Sequence, residues 1–268
     1  MVSPAAVPLD ALEVVNHALD EIRPQLRATT GNVTTQLKDD GTPVTAIDLE
    51  VDRLLAEVLQ EHFPDHGIVS EERDTFACDR TYNWIVDPID GTSNFIAGLP
   101  YWCVSVGLAR DGEVVLAVVD APMLDRRYHA IRGAGAFRDG HRLEVAQPVD
   151  PRDGRNAHIP IMLTSGTARR ARAAGLRLNA RVMGSAALDL AMVAEGSAVG
   201  SIAIRPHVWD IAAGALLVEE AGGATVTLRG EPLLPLQAGK DHAQIAVPTA
   251  AAATDAYAND LATGLLPT

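Results

Sequence analysis

Residues 81–95 read TYNWIVDPIDGTSNF, an apolar, β-prone run that ends in two aspartates three positions apart. The run predicts a buried strand over 81–87 whose last residue is Asp87. Pro88 holds Asp87 extended and removes one backbone donor, and Gly91 lets the chain turn just after Asp90. Carboxylates held so near each other repel, so a positive group must join them or one must keep its proton. Two carboxylates with the Ile89 carbonyl between them form an all-oxygen set that suits Mg²⁺, Mn²⁺ or Ca²⁺ rather than zinc. In isolation, an Asp-x-x-Asp pair is more simply an acidic turn facing solvent. Two familiar alternatives fail on spacing. A calcium-binding EF-hand loop from Asp87 would need glycine sixth and glutamate twelfth, whereas Gly91 is fifth and Gly98 is twelfth. An aspartyl-phosphate site would need Asp-x-Asp, and Ile89 stands where the second acid belongs.

The chain around this stretch is long and apolar enough for a large core, with 268 residues, 47% of them hydrophobic. Its net charge of −13 argues against nucleic acid or an anionic membrane as a partner, since both need a basic face. Small phosphate-bearing molecules stay admissible if cations come between acids and phosphate. Cys78 and Cys103 lack metal-site spacing and read as reduced, inert thiols of a cytoplasmic protein. Neither a signal-type start nor an apolar run of about 18 residues is expected.

Periodicity predicts a first helix on Leu12, Val15, Leu19, Ile22 and Leu26, with Pro24 bending or ending it. A second helix follows Thr45 as N-cap, with Ile47, Val51, Leu54, Leu55, Val58 and Leu59 on one face. Residues 102–109 and 113–121 read as a hairpin about Arg110-Asp111-Gly112, and short strands continue to 145. The polar stretch 146–158 marks an internal boundary, after which strand and helix signals alternate. An α+β half, 1–145, thus precedes an α/β half, 146–268, within one compact unit.

Three further stretches carry acids: GIVSEER (67–73) with Glu71 and Glu72, PVTAIDLE (43–50) with Asp48, and VWDIAAG (208–214) with Asp210. Singly, each is ordinary. Glu71 and Glu72 read as solvated charges, Asp48 as part of a capping box with Thr45, and Asp210 as a first-turn acid complementing its helix.

Together, DPIDGTSNF, the SEE stretch, PVTAID, GAGAFRDG and WDIAAG with EEAGG resemble the inositol monophosphatase family, in that family's order, from about residue 10 to about 260. The resemblance implies a layered αβαβα sandwich and a metal-dependent, lithium-sensitive phosphoric monoester hydrolase. It implies two to three Mg²⁺ ions per site, with Mn²⁺ as a substitute and Ca²⁺ and Li⁺ as inhibitors. Glu71, Asp87 and the Ile89 carbonyl would hold the first ion; Asp87, Asp90 and Asp210 would hold the second. Thr92 and Asp48 would activate the attacking water, and backbone N–H groups of Gly91 and Thr92 would meet the phosphate. Gly184, Ser185 and Ala186 would line the alcohol pocket with Asp90, and Lys38 would stand near the phosphate. The physics agrees: a dianionic ester resists hydroxide until cations neutralise its oxygens. A homodimer is implied as well.

Several inositol phosphatases of the family carry glutamate where Ala203 stands here, seven residues before Asp210. Arg205 follows on the apparent strand VGSIAI, two positions on and so on the same face. Inositol 1-monophosphate or a related sugar or polyol phosphate is the leading substrate. Histidinol phosphate, fructose 1,6-bisphosphate and nucleotide 3′-phosphates are alternatives, with an inactive metal-binding regulatory homologue as the non-enzyme reading.

Overall fold

The computed structural model describes residues 7–8, 10–37, 43–73, 80–146, 159–175, 178–231, 233–234 and 246–263. Lys38, Cys78 and almost all of the expected boundary at 146–158 lie outside the described residues. The chain opens with α1 (Ala11–Thr29), the ribbon β1 (Thr35–Leu37) and β2 (Pro43–Thr45), then α2 (Ala46–His62). Next come β3 (Gly67–Ser70), β4 (Tyr82–Asp90), α3 (Thr92–Ala97), β5 (Cys103–Arg110), β6 (Glu113–Ala121), β7 (Arg126–Ile131), β8 (Gly135–Arg138) and β9 (His141–Arg142). The rest is β10 (Ile161–Leu163), α4 (Ser165–Ala173), β11 (Ala180–Arg181), α5 (Ala186–Ala194), β12 (Gly200–Ala203), α6 (Val208–Glu220), β13 (Ala224–Thr227), β14 (Thr249–Ala252) and α7 (Asp255–Thr263).

Strands β3 to β9 form a seven-stranded sheet in chain order, and the second sheet has the order β11-β10-β12-β14-β13. Three cores define the layers. One face of the large sheet (Trp84, Val86, Val104, Val118) packs on Val15, Leu19 and Leu26 of α1 and Val51, Leu55 and Leu59 of α2. Its other face (Ile85, Val119, Tyr128) packs on α5 and α6, which also touch Met162 and Ala251 of the small sheet. The far face of the small sheet packs on α4 and α7 through Ala171, Ala258 and Leu261. The order is therefore αβαβα, as the resemblance implied. Residues 113–121 are buried from Val114 onwards because this strand is covered on both faces.

Two expectations need correction. Pro24 does not end α1, which runs on to Thr29 because Leu26, past the proline, is buried in the core. β4 does not end at Asp87: it pairs with β5 up to Asp90↔Cys103.

Candidate active site

The end of β4 carries the feature that makes a site of this stretch. Between the pairs Asp87↔Ser105 and Asp90↔Cys103, β4 advances three residues while β5 advances two. That extra residue is a β-bulge. In a regular strand, residues three apart point to opposite faces. The bulge cancels the alternation and brings Asp87 and Asp90 within electrostatic reach of each other. Pro88, which cannot donate to a ladder, falls inside the bulge where no donor is needed. The Ile89 N–H turns back to Asp87 Oδ1 at 3.0 Å.

Other elements deliver the remaining acids. The Glu71 backbone N–H donates to the Val86 carbonyl at 3.3 Å, which holds the turn after β3 against β4. Asp48 is N3 of α2 in a true capping box, accepting from the Thr45 N–H at 2.9 Å and from the Thr45 hydroxyl. Its other oxygen, Oδ1, faces the Thr92 hydroxyl at 3.4 Å; that hydroxyl also donates to the Ile89 carbonyl at 3.0 Å. Asp48 is thus both helix cap and site neighbour. Asp210 likewise caps α6, accepting from the His207 N–H at 2.8 Å, while the His207 ring stacks on Trp209.

Asp90 has the richest donor set. Its Oδ2 accepts from the Ser185 hydroxyl and the Ala187 N–H, both at 2.6 Å, and its Oδ1 from the Ala186 N–H at 3.3 Å. The buried Cys103 thiol adds a weak contact at 3.9 Å. Of the three residues that the resemblance assigned to the alcohol pocket, Ser185 and Ala186 bond Asp90, and the Gly184 carbonyl lies against Gly91. Asn94 secures them: its amide donates to the Tyr101 and Met183 carbonyls at 2.6 and 2.7 Å. Sequence reasoning gave Asn94 no role, because its two acceptors belong to segments far apart in the chain. Gly91 sits at φ 98°, and a Cβ there would lie 3.2 Å from the Gly184 carbonyl, Trp102 Cβ and the Tyr101 carbonyl. Only glycine fits.

Electrostatics sets these acids apart from ordinary surface carboxylates. Burial, then Glu71, Asp90, Asp210 and Asp48, hold the Asp87 carboxyl well above its usual range. Burial, then Asp90 and Glu71, do the same to Asp210. Burial raises Asp48, partly offset by its Thr45 bonds. Asp90 is pushed up to about 6 by burial, with Ser185, Ala187 and Ala186 pulling the other way. No described arginine forms an ion pair with any of these four. Among the described residues, no three acids, histidines or cysteines meet as a ready-made ligand shell. The donor chemistry still fits hard divalent cations: buried oxygen ligands, mutually repelling, with no positive partner among the described residues.

Arg205 is not where the strand pattern put it. β12 ends at Ala203, and Arg205 lies in the bend beyond, exposed to solvent, so face alternation does not apply. Ala203 is buried and pairs with Thr249.

A layered αβαβα fold with a carboxylate cluster at one sheet end defines a class of small-molecule phosphatases, and comparison with known proteins agrees. The sequence model of the inositol monophosphatase family matches residues 7–262, and the chain belongs to that family. The inositol-1-monophosphatase of Rhizobium meliloti (strain 1021) is 37% identical over 221 residues, 78% of this chain and 80% of the relative. A Thermotoga maritima protein named fructose-1,6-bisphosphatase/inositol-1-monophosphatase is 37% identical over 190 residues, 70% and 72% of the two chains. "Nus factor SuhB" of Xylella fastidiosa is 35% identical over 195 residues, 69% and 68%. Among solved structures, the Thermotoga maritima IMPase superposes with a TM-score of 0.79 at 29% identity, covering 96% of each chain.

Proposed function

We propose that this phosphatase hydrolyses small phosphate monoesters with Mg²⁺, inositol 1-monophosphate or a related sugar or polyol phosphate being the leading substrate. The observation that supports it most is the bulged end of β4, where Asp87 and Asp90 are buried beside Asp210 and within reach of the Thr92–Asp48 pair. Glu71, Asp87 and the Ile89 carbonyl, with Asp90 and Asp210, would hold the cations. Bound there, Mg²⁺ supplies Lewis-acid neutralisation of phosphate oxygens and lowers the pKa of water. The remaining roles fall to the protein. Asp48, anchored by Thr45, holds the Thr92 hydroxyl so that the pair accepts a proton from attacking water. Gly91, forced into a left-handed turn, frees the next N–H groups for a phosphate oxygen; α3, with six residues, adds little dipole. Ser185 and Ala186, fixed through Asp90 and Asn94, frame the leaving alcohol.

Substrates with a second anionic group are a further reading, favoured by two observations. Ala203 offers no carboxylate to a polyol, and Arg205 is exposed and makes no ion pair among the described residues. The relatives' names include both inositol and fructose-bisphosphate phosphatases. Lithium and Ca²⁺ inhibition, a homodimer and a cytoplasmic location follow the family resemblance; no helix of the described residues is long and apolar enough to cross a membrane. The test is phosphate release across inositol monophosphates, fructose 1,6-bisphosphate, histidinol phosphate and nucleotides, each with Mg²⁺ and with EDTA. Turnover undiminished by chelator would refute the mechanism. Silence on every ester, with metal bound, would favour a regulatory homologue.

A further inference from the structure

A second polar cavity lies away from the carboxylate cluster. It has a volume of about 340 Å³ and is lined by Asn16, Asp20 and Arg23 of α1, Arg127 and His129 of β7, and Asp139 and Gly140 of the β8–β9 turn. It occupies the α1 side of the large sheet, whereas Asp87 pairs with Ser105 in a row that belongs to the α5–α6 side. None of its residues has a part in the chemistry above.

Its charges are unevenly satisfied. Asp120 is fully buried behind the lining, next to Arg127 in the β6–β7 ladder. Asp120 Oδ1 takes Arg127 Nε at 2.8 Å and Arg23 Nη2 at 3.4 Å, so two guanidinium groups share one carboxylate. The balancing charge is Asp20, 65% exposed, whose Oδ1 stands 2.8 Å from Arg127 Nη2 but off line for a directed hydrogen bond. Asp139 is engaged elsewhere, accepting from the Arg127 backbone N–H at 3.1 Å. Three polar atoms are buried without a hydrogen-bond partner: Arg23 Nε, Arg127 Nη2 and Asp120 Oδ2. Buried donors left unpaired are costly, and native structures supply the missing acceptor. His129, stacked on Phe137 at 5.4 Å and held neutral by burial, gives the cavity one flat wall.

We propose that this cavity is a binding site for an oxyanion, the phosphate or carboxylate of a small metabolite, distinct from the catalytic centre. The ligand takes the place of Asp20 on Arg127 Nη2 and meets the guanidinium of Arg23, which lines the same cavity. The volume suits a small metabolite and exceeds what one water needs. Asp20 then acts as a competing counter-ion on the rim, which fixes the sign of its substitution.

Inorganic phosphate is the probe, titrated calorimetrically into the full-length protein in EDTA, where the cation-free carboxylate cluster repels phosphate. One saturable site is expected. Arg23→Gln should weaken it about tenfold or more, the loss of one charge-assisted bond. Asp20→Asn should tighten it several-fold, since a competitor is removed. Circular dichroism checks folding; if Arg23→Gln does not fold, the exposed Asp20 variant decides alone. No saturable binding to wild type, meaning that the cavity holds water alone, overturns the proposal. So does an unchanged or weakened affinity in Asp20→Asn.

Discussion

Asp90 offers a quantitative test of the stored repulsion. Its carboxyl titrates near 3.8 when unfolded and at about 6 in the fold. An acid whose pKa is raised on folding favours the fold most when protonated, so its contribution is present at low pH and lost as pH rises through about 6. The shift, about two units, corresponds to roughly 3 kcal/mol between the extremes. At pH 5 about 1.4 kcal/mol of that remains, and at pH 8.5 almost none. Asp90→Asn removes the titration and retains a neutral side chain of the same shape. In EDTA, the stability of the variant minus that of wild type should therefore increase by about 1.4 kcal/mol between pH 5 and pH 8.5. For a chain of this size that is a relative gain of roughly 3–6 °C in melting temperature. Urea unfolding at four or five pH values measures it. The difference cancels the titration of distant acids, while Asp87 and Asp210, relieved of the Asp90 charge, add a gain of the same sign, so about 1.4 kcal/mol is the least expected. A flat difference, or one of opposite slope, would refute the claim that Asp90 is held charged at a cost. Saturating Mg²⁺ should reduce the pH slope of wild type, because the cation replaces the proton.

The other predictions concern activity and local structure. Asp87→Asn should stay folded and lose more than about a hundredfold in turnover, since it is proposed to contact two ions; near-normal rates would remove it from the ligand set. Asp48→Asn should melt close to wild type, because an asparagine Oδ1 at N3 can still accept from the Thr45 N–H, yet turn over slowly; unchanged turnover would leave Asp48 a part of the capping box and nothing more. Gly91→Ala should cost about 1–3 kcal/mol by thermal denaturation, from the left-handed backbone and three 3.2 Å contacts. Arg205→Ala should raise KM for the best anionic substrate more than for p-nitrophenyl phosphate, and equal effects would place Arg205 outside the pocket.

What was legible in the sequence follows from what is local. The α2 cap at Thr45, the β5–β6 hairpin and the acidic turn of β4 are each written within a few residues, so spacing and turn chemistry reveal them. The bulge was not legible, since a three-residue spacing looks the same in a turn and in a strand with one residue extra. β14 and α7 were missed because TAAAATDAYAND (249–260), rich in alanine, carries neither alternation nor a clear apolar stripe; their burial comes from packing within the small sheet and its outer helix layer. Arg205 was misplaced because β12 stops at Ala203, one residue before its apolar run ends and two before Arg205. Asn94 and the Arg23–Asp120–Arg127 group depend on partners about 90 to 100 residues away, which no short motif records.

The contact between Asp90 and the start of α5 joins the large sheet to the helix layer that lies between the two sheets. β4 and its bulge belong to the large sheet, whereas Ser185 and Ala186 stand at the start of α5 and Ala203 ends β12 of the small sheet. The proposed alcohol pocket thus lies in the second half of the chain, whereas the proposed cation ligands are shared between Asp87 and Asp90 on β4 and Asp210 on α6. We expect substitutions at exposed Arg205, in the bend after β12, to alter which alcohol is accepted while leaving the hydrogen bonds of Asp90 in place. Drift in specificity is therefore expected at such exposed positions, and not at Gly184, Ser185 or Asp210, where the two halves share one site.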